Sequence, residues 1–195
     1  MRAFFYIFLI FFSASLSLQA EARADKNKII VPCAHPLFRA LDFWVGDWKV
    51  YHRKSGELAG FDRVGRILKG CAIQQNWISL DDHFSSPMVP FRMNGKSLTA
   101  YDGEQWVQFW VDNQAGSQII KGQIEKKSLI LKSEKPILGY IYQLSWTPEE
   151  DGSVSHKAVR RKMDEENWQP LFDFIYRRNK SRMPLPEELA KELPE

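Results

Sequence analysis

The chain has little of what marks several common classes of protein. It holds only 2 cysteines and 4 histidines, and none of its apolar runs reaches the roughly 20 residues that cross a membrane as a helix. Its 27 Lys and Arg nearly balance 24 Asp and Glu, so it lacks the positive excess typical of proteins that bind nucleic acid. Phosphate-binding loops, dinucleotide fingerprints, nucleophile elbows and paired-carboxylate motifs are absent. The sequence therefore predicts no nucleic-acid partner, no cofactor, no metal and no catalytic residue, and it favours a non-enzymatic protein while leaving an enzyme open.

Apolar and aromatic residues are plentiful instead. Of the 195 residues, 44% are hydrophobic, 26% are charged and 13% are aromatic. This composition is typical of a globular protein and excludes a disordered chain, and the length suits one domain.

The N-terminus has the pattern of a secretory signal peptide. Met1-Arg2 precedes the uncharged, apolar segment 3–18, and overlapping small-residue cleavage sites follow at 20–24. We expect residues 1–24 to be removed, which predicts a periplasmic or secreted protein without a stable membrane anchor. An uncleaved anchor is the alternative, and the shortness of the apolar segment disfavours it.

The two cysteines, Cys33 and Cys71, are expected to form a disulfide, because an exported protein folds in an oxidising compartment. Two separate buried thiols are the alternative.

The rest of the chain predicts a leader (25–41), a β-domain (42–180) and a helical tail (181–195). Short runs rich in β-branched and aromatic residues predict ten strands, and turn signals such as Asp102-Gly103 and Asp151-Gly152 separate them. The predicted strands are 46–53, 61–69, 71–80, 97–102, 105–112, 117–125, 128–133, 140–147, 153–161 and 171–178. The pattern of 185–193 is typical of a short helix.

Consecutive antiparallel strands joined by short turns favour an all-β fold, a closed up-and-down barrel, because closure removes exposed sheet edges. A two-sheet sandwich remains the alternative. The loop 81–96 is expected to form the rim of the barrel.

Four short motifs carry a family resemblance. They are the FWVGDW segment at 43–48, the GCAI segment at 70–73 followed by Trp77, the segment from Trp106 to WVDN at 110–113, and Trp168 with the aromatic segment 172–178. In this order they resemble a bacterial lipocalin-like family of unknown function, over residues 38 to 178. The resemblance implies a calycin-type barrel and the binding of a small apolar molecule. Gln75 departs from the family pattern, which often has an acidic residue there.

Aromatic residues on alternating strand positions are the candidate ligand-binding set, because such side chains line apolar cavities. His52 is added to the set because it shares a strand face with Trp48. The full set is Trp48, His52, Trp77, Tyr101, Trp106, Trp110, Tyr142, Trp146 and Phe174. The same side chains could instead fill the barrel completely.

His52 has three interpretations: a hydrogen-bonded structural residue, a general base, or a haem ligand of the kind found in haem-binding barrels. The first is favoured because the sequence identifies no carboxylate partner. The segment Asp81-Asp82-His83 is interpreted as a solvated loop rather than a metal site.

Pairing of the first and last strands predicts a plug. In a barrel of ten antiparallel strands the beginning of the first lies beside the end of the last, which brings Arg178 to Trp48. A guanidinium over an indole would seal that end of the barrel. The alternative is a solvated Arg178, with Arg177 or no residue over Trp48. The resulting hypothesis is an exported protein that binds a small hydrophobic molecule. The alternatives are a cofactor-free isomerase or cyclase in the same cavity, or a filled barrel that binds a protein partner.

Overall fold

Ten strands form one closed antiparallel barrel in the computed structural model, which describes residues 32–180. They are β1 (Gly46–His52), β2 (Leu58–Ile67), β3 (Ala72–Ser79), β4 (Asn94–Tyr101), β5 (Trp106–Asp112), β6 (Ser117–Glu125), β7 (Ser128–Ser133), β8 (Tyr140–Pro148), β9 (Val154–Lys162) and β10 (Gln169–Arg178). Each strand pairs with its neighbours in sequence, and β1 closes the barrel against β10. The prediction of an all-β up-and-down barrel is confirmed, and a sandwich is excluded.

The strand boundaries differ from the sequence prediction by up to three residues. Strand β2 begins at Leu58. It ends at Ile67, because Leu68 and Lys69 turn the chain with positive φ angles of 51° and 58°. Strand β4 begins at Asn94, which shortens the predicted rim loop. The predicted C-terminal helix and the predicted signal peptide lie outside the described residues.

The faces of β5 were ambiguous in the sequence because both carry apolar residues. The structure buries Trp106 and Gln108, whereas Phe109 and Val111 are exposed on the outer face. The inward positions of β5 are therefore Trp106, Gln108 and Trp110, so a glutamine lies between two tryptophans on the inner face.

The up-and-down order divides the connections between the two ends of the barrel. Both chain ends of the barrel, Gly46 and Arg178, lie at one end, with the β2–β3, β4–β5, β6–β7 and β8–β9 turns. The other five connections lie at the opposite end, which we call the mouth. The region 32–180 contains no helix long and apolar enough to cross a membrane.

In the structure the leader, described from residue 32, continues to the start of β1 rather than ending at residue 41, and it covers the end opposite the mouth. It contains a 3-10 helix, Pro36–Arg39, followed by Leu41 and Trp44, which are both fully buried in the core. A disulfide joins Cys33 to Cys71 at the start of β3, as predicted, with a sequence separation of 38. Disulfides persist in non-reducing compartments, so this bond is consistent with export.

Candidate functional site

The barrel contains a cavity of about 530 Å³, lined from the loops at the mouth inward to Trp146, His156 and Tyr176. Side chains therefore do not fill the barrel completely. The β3–β4 loop contributes His83, Phe84 and Met93 to the rim of the cavity, and the β5–β6 turn and the β7–β8 loop form other parts of it. Its aromatic wall consists of Trp77, Phe84, Trp110, Tyr142, Trp146, Phe172, Phe174 and Tyr176.

Five of the nine predicted ligand-binding residues line this cavity: Trp77, Trp110, Tyr142, Trp146 and Phe174. The structure places the other four elsewhere. Trp48 and Trp106 are buried in the core, and Tyr101 packs edge-on against Phe38 and Trp106. The His52 ring contacts the Phe174 ring edge-on, with a centroid distance of 5.0 Å, and His52 does not line the cavity.

The end opposite the mouth is sealed by Trp48 and its neighbours. Arg178 pairs with Trp48 across β1 and β10, and its guanidinium lies 4.1 Å from the centroid of the Trp48 ring. Arg178 Nη1 also donates a hydrogen bond of 2.6 Å to the Val45 carbonyl. A Cβ atom at Gly46 would lie 2.0 Å from that nitrogen, so a larger residue at this position would displace the guanidinium. Arg178 is exposed, so its guanidinium covers the Trp48 indole from the solvent side.

A row of buried, hydrogen-bonded polar side chains runs across the three neighbouring strands β4, β3 and β2. Ser97 Oγ donates to Gln75 Oε1 at 2.9 Å, and Gln75 Nε2 donates to Asp62 Oδ2 at 2.7 Å. Gln75 also lines the cavity. The row connects the cavity wall to a carboxyl group that has no access to solvent.

Burial raises the pKa of Asp62 from 3.8 to about 8, although the hydrogen bond from Gln75 opposes the shift. Asp62 is therefore largely protonated at neutral pH. Burial, together with the neighbouring Asp62 carboxyl, raises the pKa of Tyr176 well above its ordinary value. This pair places two neutral, hydrogen-bonding groups beside the cavity.

His156 is a second buried ionisable group, and it lines the cavity directly. Its ring stacks on Trp146 with a centroid distance of 4.3 Å and an interplanar angle of 12°. Its Nδ1 atom lies 3.0 Å from the Ser145 carbonyl oxygen. Burial lowers its pKa from 6.5 to about 4, against the opposing effect of this hydrogen bond, so the imidazole is neutral at pH 7.

The remaining histidines of the barrel lie at the mouth. His52 Nε2 is 2.5 Å from Asp81 Oδ2, which supplies the carboxylate partner that the sequence did not identify. The His83 backbone N–H donates to the same carboxylate, and the His52 and His83 rings are 5.2 Å apart. Within residues 32–180, His, Cys, Asp and Glu side chains form no group of three that could hold a metal ion. Asp81 of the loop therefore contacts the ring of His52 on β1 and the backbone N–H of His83 within the loop.

Sequence reasoning missed His156, Phe172, Tyr176 and the rim residues His83 and Phe84 as parts of the cavity wall. Alternation on β9 was an available signal, because Val154, His156 and Ala158 occupy one buried face with a fully buried valine at its start. The rim residues had no such signal, because their positions depend on how the loop folds over the mouth.

Comparisons with known proteins add no relative. No family model matches the chain, and no curated protein matches its sequence. The barrel and its cavity are therefore the basis for a functional proposal.

Proposed function

We propose that the protein is an exported, lipocalin-like barrel that binds a small, mainly apolar molecule in its cavity. The observation that supports this proposal is the cavity of about 530 Å³, walled by aromatic side chains and located behind the mouth. Ligand pockets in proteins have this character: they are concave, mainly apolar and within roughly 300–1,000 Å³.

The distribution of polar groups supports an apolar ligand with few polar atoms. Aromatic and aliphatic side chains make up most of the wall, and Gln75, Gln108 and His156 are polar groups within it. The other polar side chains are contributed by residues nearer the mouth: His83, Asp112, Ser117, Gln118 and Arg160. Gln108 already donates to Thr99 Oγ1 at 3.0 Å, so part of its capacity is used within the barrel. Apolar surface provides the affinity in such a site, and a few polar atoms fix the orientation of the ligand.

Export is part of the same proposal. The signal-peptide pattern of residues 1–24 and the Cys33–Cys71 disulfide both fit a periplasmic or extracellular protein. A binding protein in that compartment would carry or sequester a molecule that water dissolves poorly.

A cavity-filling variant tests the proposal. Leu144→Trp places an indole in the cavity, whereas Leu98→Trp makes the same change on the outer face, where Leu98 is 50% exposed. We expect the wild type to bind the apolar fluorophore 1-anilinonaphthalene-8-sulfonate, measured by its fluorescence. Leu144→Trp should weaken binding at least tenfold, and Leu98→Trp should leave it unchanged.

Native mass spectrometry of protein purified from its own host provides a second measurement, since a retained molecule appears as added mass. Equal fluorophore binding by both tryptophan variants, each folded by circular dichroism, would show that the cavity is not the binding site.

A cofactor-free enzyme is the second candidate, and one observation favours it. Asp62, Tyr176 and His156 have strongly shifted pKa values and lie in or beside the cavity, which is a frequent property of catalytic groups. Incubating the retained molecule with the protein separates the two functions. Chromatographic conversion to an isomer of the same mass would identify an isomerase or cyclase, and an unchanged molecule would favour simple binding.

A further inference from the structure

The orientation of the His156 ring is fixed on three sides. One face stacks on Trp146, and the rings of Phe172 and Tyr176 contact it edge-on at centroid distances of 4.9 and 5.7 Å. The Ser145 carbonyl can only accept a hydrogen bond, so the Nδ1 atom next to it must carry the proton. The imidazole is therefore held in one orientation and one tautomer.

This tautomer leaves Nε2 as a hydrogen-bond acceptor. A neutral imidazole has one donor and one acceptor nitrogen, and the donor is already used by Ser145. None of the hydrogen bonds of His156 among residues 32–180 involves Nε2. Because the ring lines the cavity, its unused acceptor is available to a molecule there.

The chemistry of this acceptor restricts its partner. A hydroxyl or N–H group can donate to Nε2, whereas an ether, a hydrocarbon or an ionised carboxylate cannot. An acceptor left unpaired in a desolvated site costs free energy, so a ligand without a donor is penalised when it displaces water from Nε2.

We propose that His156 Nε2 accepts a hydrogen bond from a hydroxyl group on the ligand, so that the cavity selects apolar alcohols and phenols. This inference rests on the proposed binding function, because it concerns the orientation of a ligand in the same cavity. It adds a specific polar anchor about two residues along β9 from the sealed end of the barrel.

Two probes of nearly the same shape test the anchor. 2-Naphthol carries a hydroxyl donor, and 2-methoxynaphthalene replaces that donor with an ether. We expect the wild type to bind 2-naphthol roughly five- to tenfold more tightly, measured by calorimetry at pH 7. In His156→Phe, which keeps an aromatic ring for stacking on Trp146, the preference should fall to about one while 2-methoxynaphthalene still binds.

Spectroscopy of the unmutated protein provides a test that does not depend on folding of the variant. With ¹⁵N-labelled histidine, we expect a protonated Nδ1 and an unprotonated Nε2 for His156. Addition of 2-naphthol should shift the Nε2 resonance, and addition of 2-methoxynaphthalene should leave it nearly unchanged.

The outcomes separate this inference from the proposed function. Binding of both probes with equal affinity by the wild type, or an Nε2 resonance that ignores 2-naphthol, would overturn the anchor and leave the binding function intact. Failure of the wild type to bind 2-naphthol, 2-methoxynaphthalene and the anilinonaphthalene fluorophore would count against both the anchor and the proposed binding function.

Discussion

At the scale of single residues, Asp62 and His156 respond to burial in opposite directions. The pKa of Asp62 rises to about 8, so the folded protein keeps a proton that the unfolded chain has lost above its ordinary pKa of 3.8. The pKa of His156 falls to about 4, so the folded protein lacks a proton that the unfolded chain holds below 6.5. Rising pH therefore lowers stability through Asp62 between 3.8 and 8, and raises it through His156 between 4 and 6.5.

These two effects oppose each other below pH 6.5, and only the effect of Asp62 remains between pH 6.5 and 8. We expect the free energy of unfolding to fall over that interval by up to about 1.4 kcal/mol per pH unit. Asp62→Asn should remove the fall, because the amide does not titrate and its oxygen can still accept from Gln75. Urea denaturation at both ends of the interval measures the change.

Asp164→Asn is the matched control, since Asp164 is exposed and should keep the wild-type dependence. An Asp62→Asn protein that loses stability with pH as steeply as the wild type would show that another group is responsible.

The candidate site shows what alternation can and cannot predict for individual residues. Trp146 and Phe174 were identified because period-two patterns place them on buried strand faces. The Asp62–Gln75 hydrogen bond was not predictable, because it depends on the register between β2 and β3 and on the cost of leaving a buried carboxyl unpaired. His52 found its partner in Asp81, a residue 29 positions away in a loop of irregular conformation.

At the scale of elements, the strands were predictable because each is short, alternating and bounded by turn chemistry. Gly103 and Gly152, for example, have φ angles of 108° and 79°, which glycine adopts without strain. The largest errors, of three residues, lie at the starts of β2 and β4, and smaller ones lie at other ends, such as the end of β2, where the chain enters a 3-10 turn. Hydrogen bonding between strands, rather than local propensity, sets those boundaries.

The leader is an element whose role depends on long-range contacts. Trp48 Nε1 donates to the Trp44 carbonyl at 2.8 Å, and the Trp44 ring lies 5.1 Å from that of Trp146. Arg66 of β2 donates to the Phe38 carbonyl at 2.9 Å and forms an ion pair with Asp42. The leader is therefore part of the core at the sealed end.

The disulfide should stabilise this arrangement by restricting the unfolded chain. Replacing both Cys33 and Cys71 with serine removes a cross-link with a sequence separation of 38. We expect the free energy of unfolding to fall by about 2–4 kcal/mol, measured by urea denaturation. Reductant should lower the stability of the wild type by a similar amount and leave the double variant unchanged. Equal stability of the oxidised wild type and the double variant would contradict this account.

At the scale of the whole molecule, the two ends of the barrel have different roles. Trp48, Arg178 and the leader seal one end, and their contacts involve tightly packed aromatic rings and backbone carbonyls. The β3–β4 loop lies at the mouth, where Phe84 contacts two rings of β10 and His83 Nε2 lies 3.2 Å from the Leu171 carbonyl oxygen. A ligand in the cavity should therefore enter and leave through the mouth, past the β3–β4 loop.

Phe84 is the residue of that loop with ring contacts to both Phe172 and Phe174 in the cavity wall. It lines the cavity, and its ring contacts Phe172 and Phe174 edge-on at centroid distances of 5.9 and 6.3 Å. Such aromatic contacts contribute about 0.5–1.5 kcal/mol each, or about 1–3 kcal/mol for the two, and opening of the loop forfeits part of this amount. Phe84→Ala should accelerate both binding and release of the anilinonaphthalene fluorophore by about three- to tenfold in stopped-flow measurements, with a smaller change in affinity.

Phe91→Ala is the matched control, because Phe91 belongs to the same loop but is 50% exposed and does not line the cavity. Unchanged rates in Phe84→Ala, or the same acceleration in Phe91→Ala, would mean that the Phe84 contacts do not control access to the cavity.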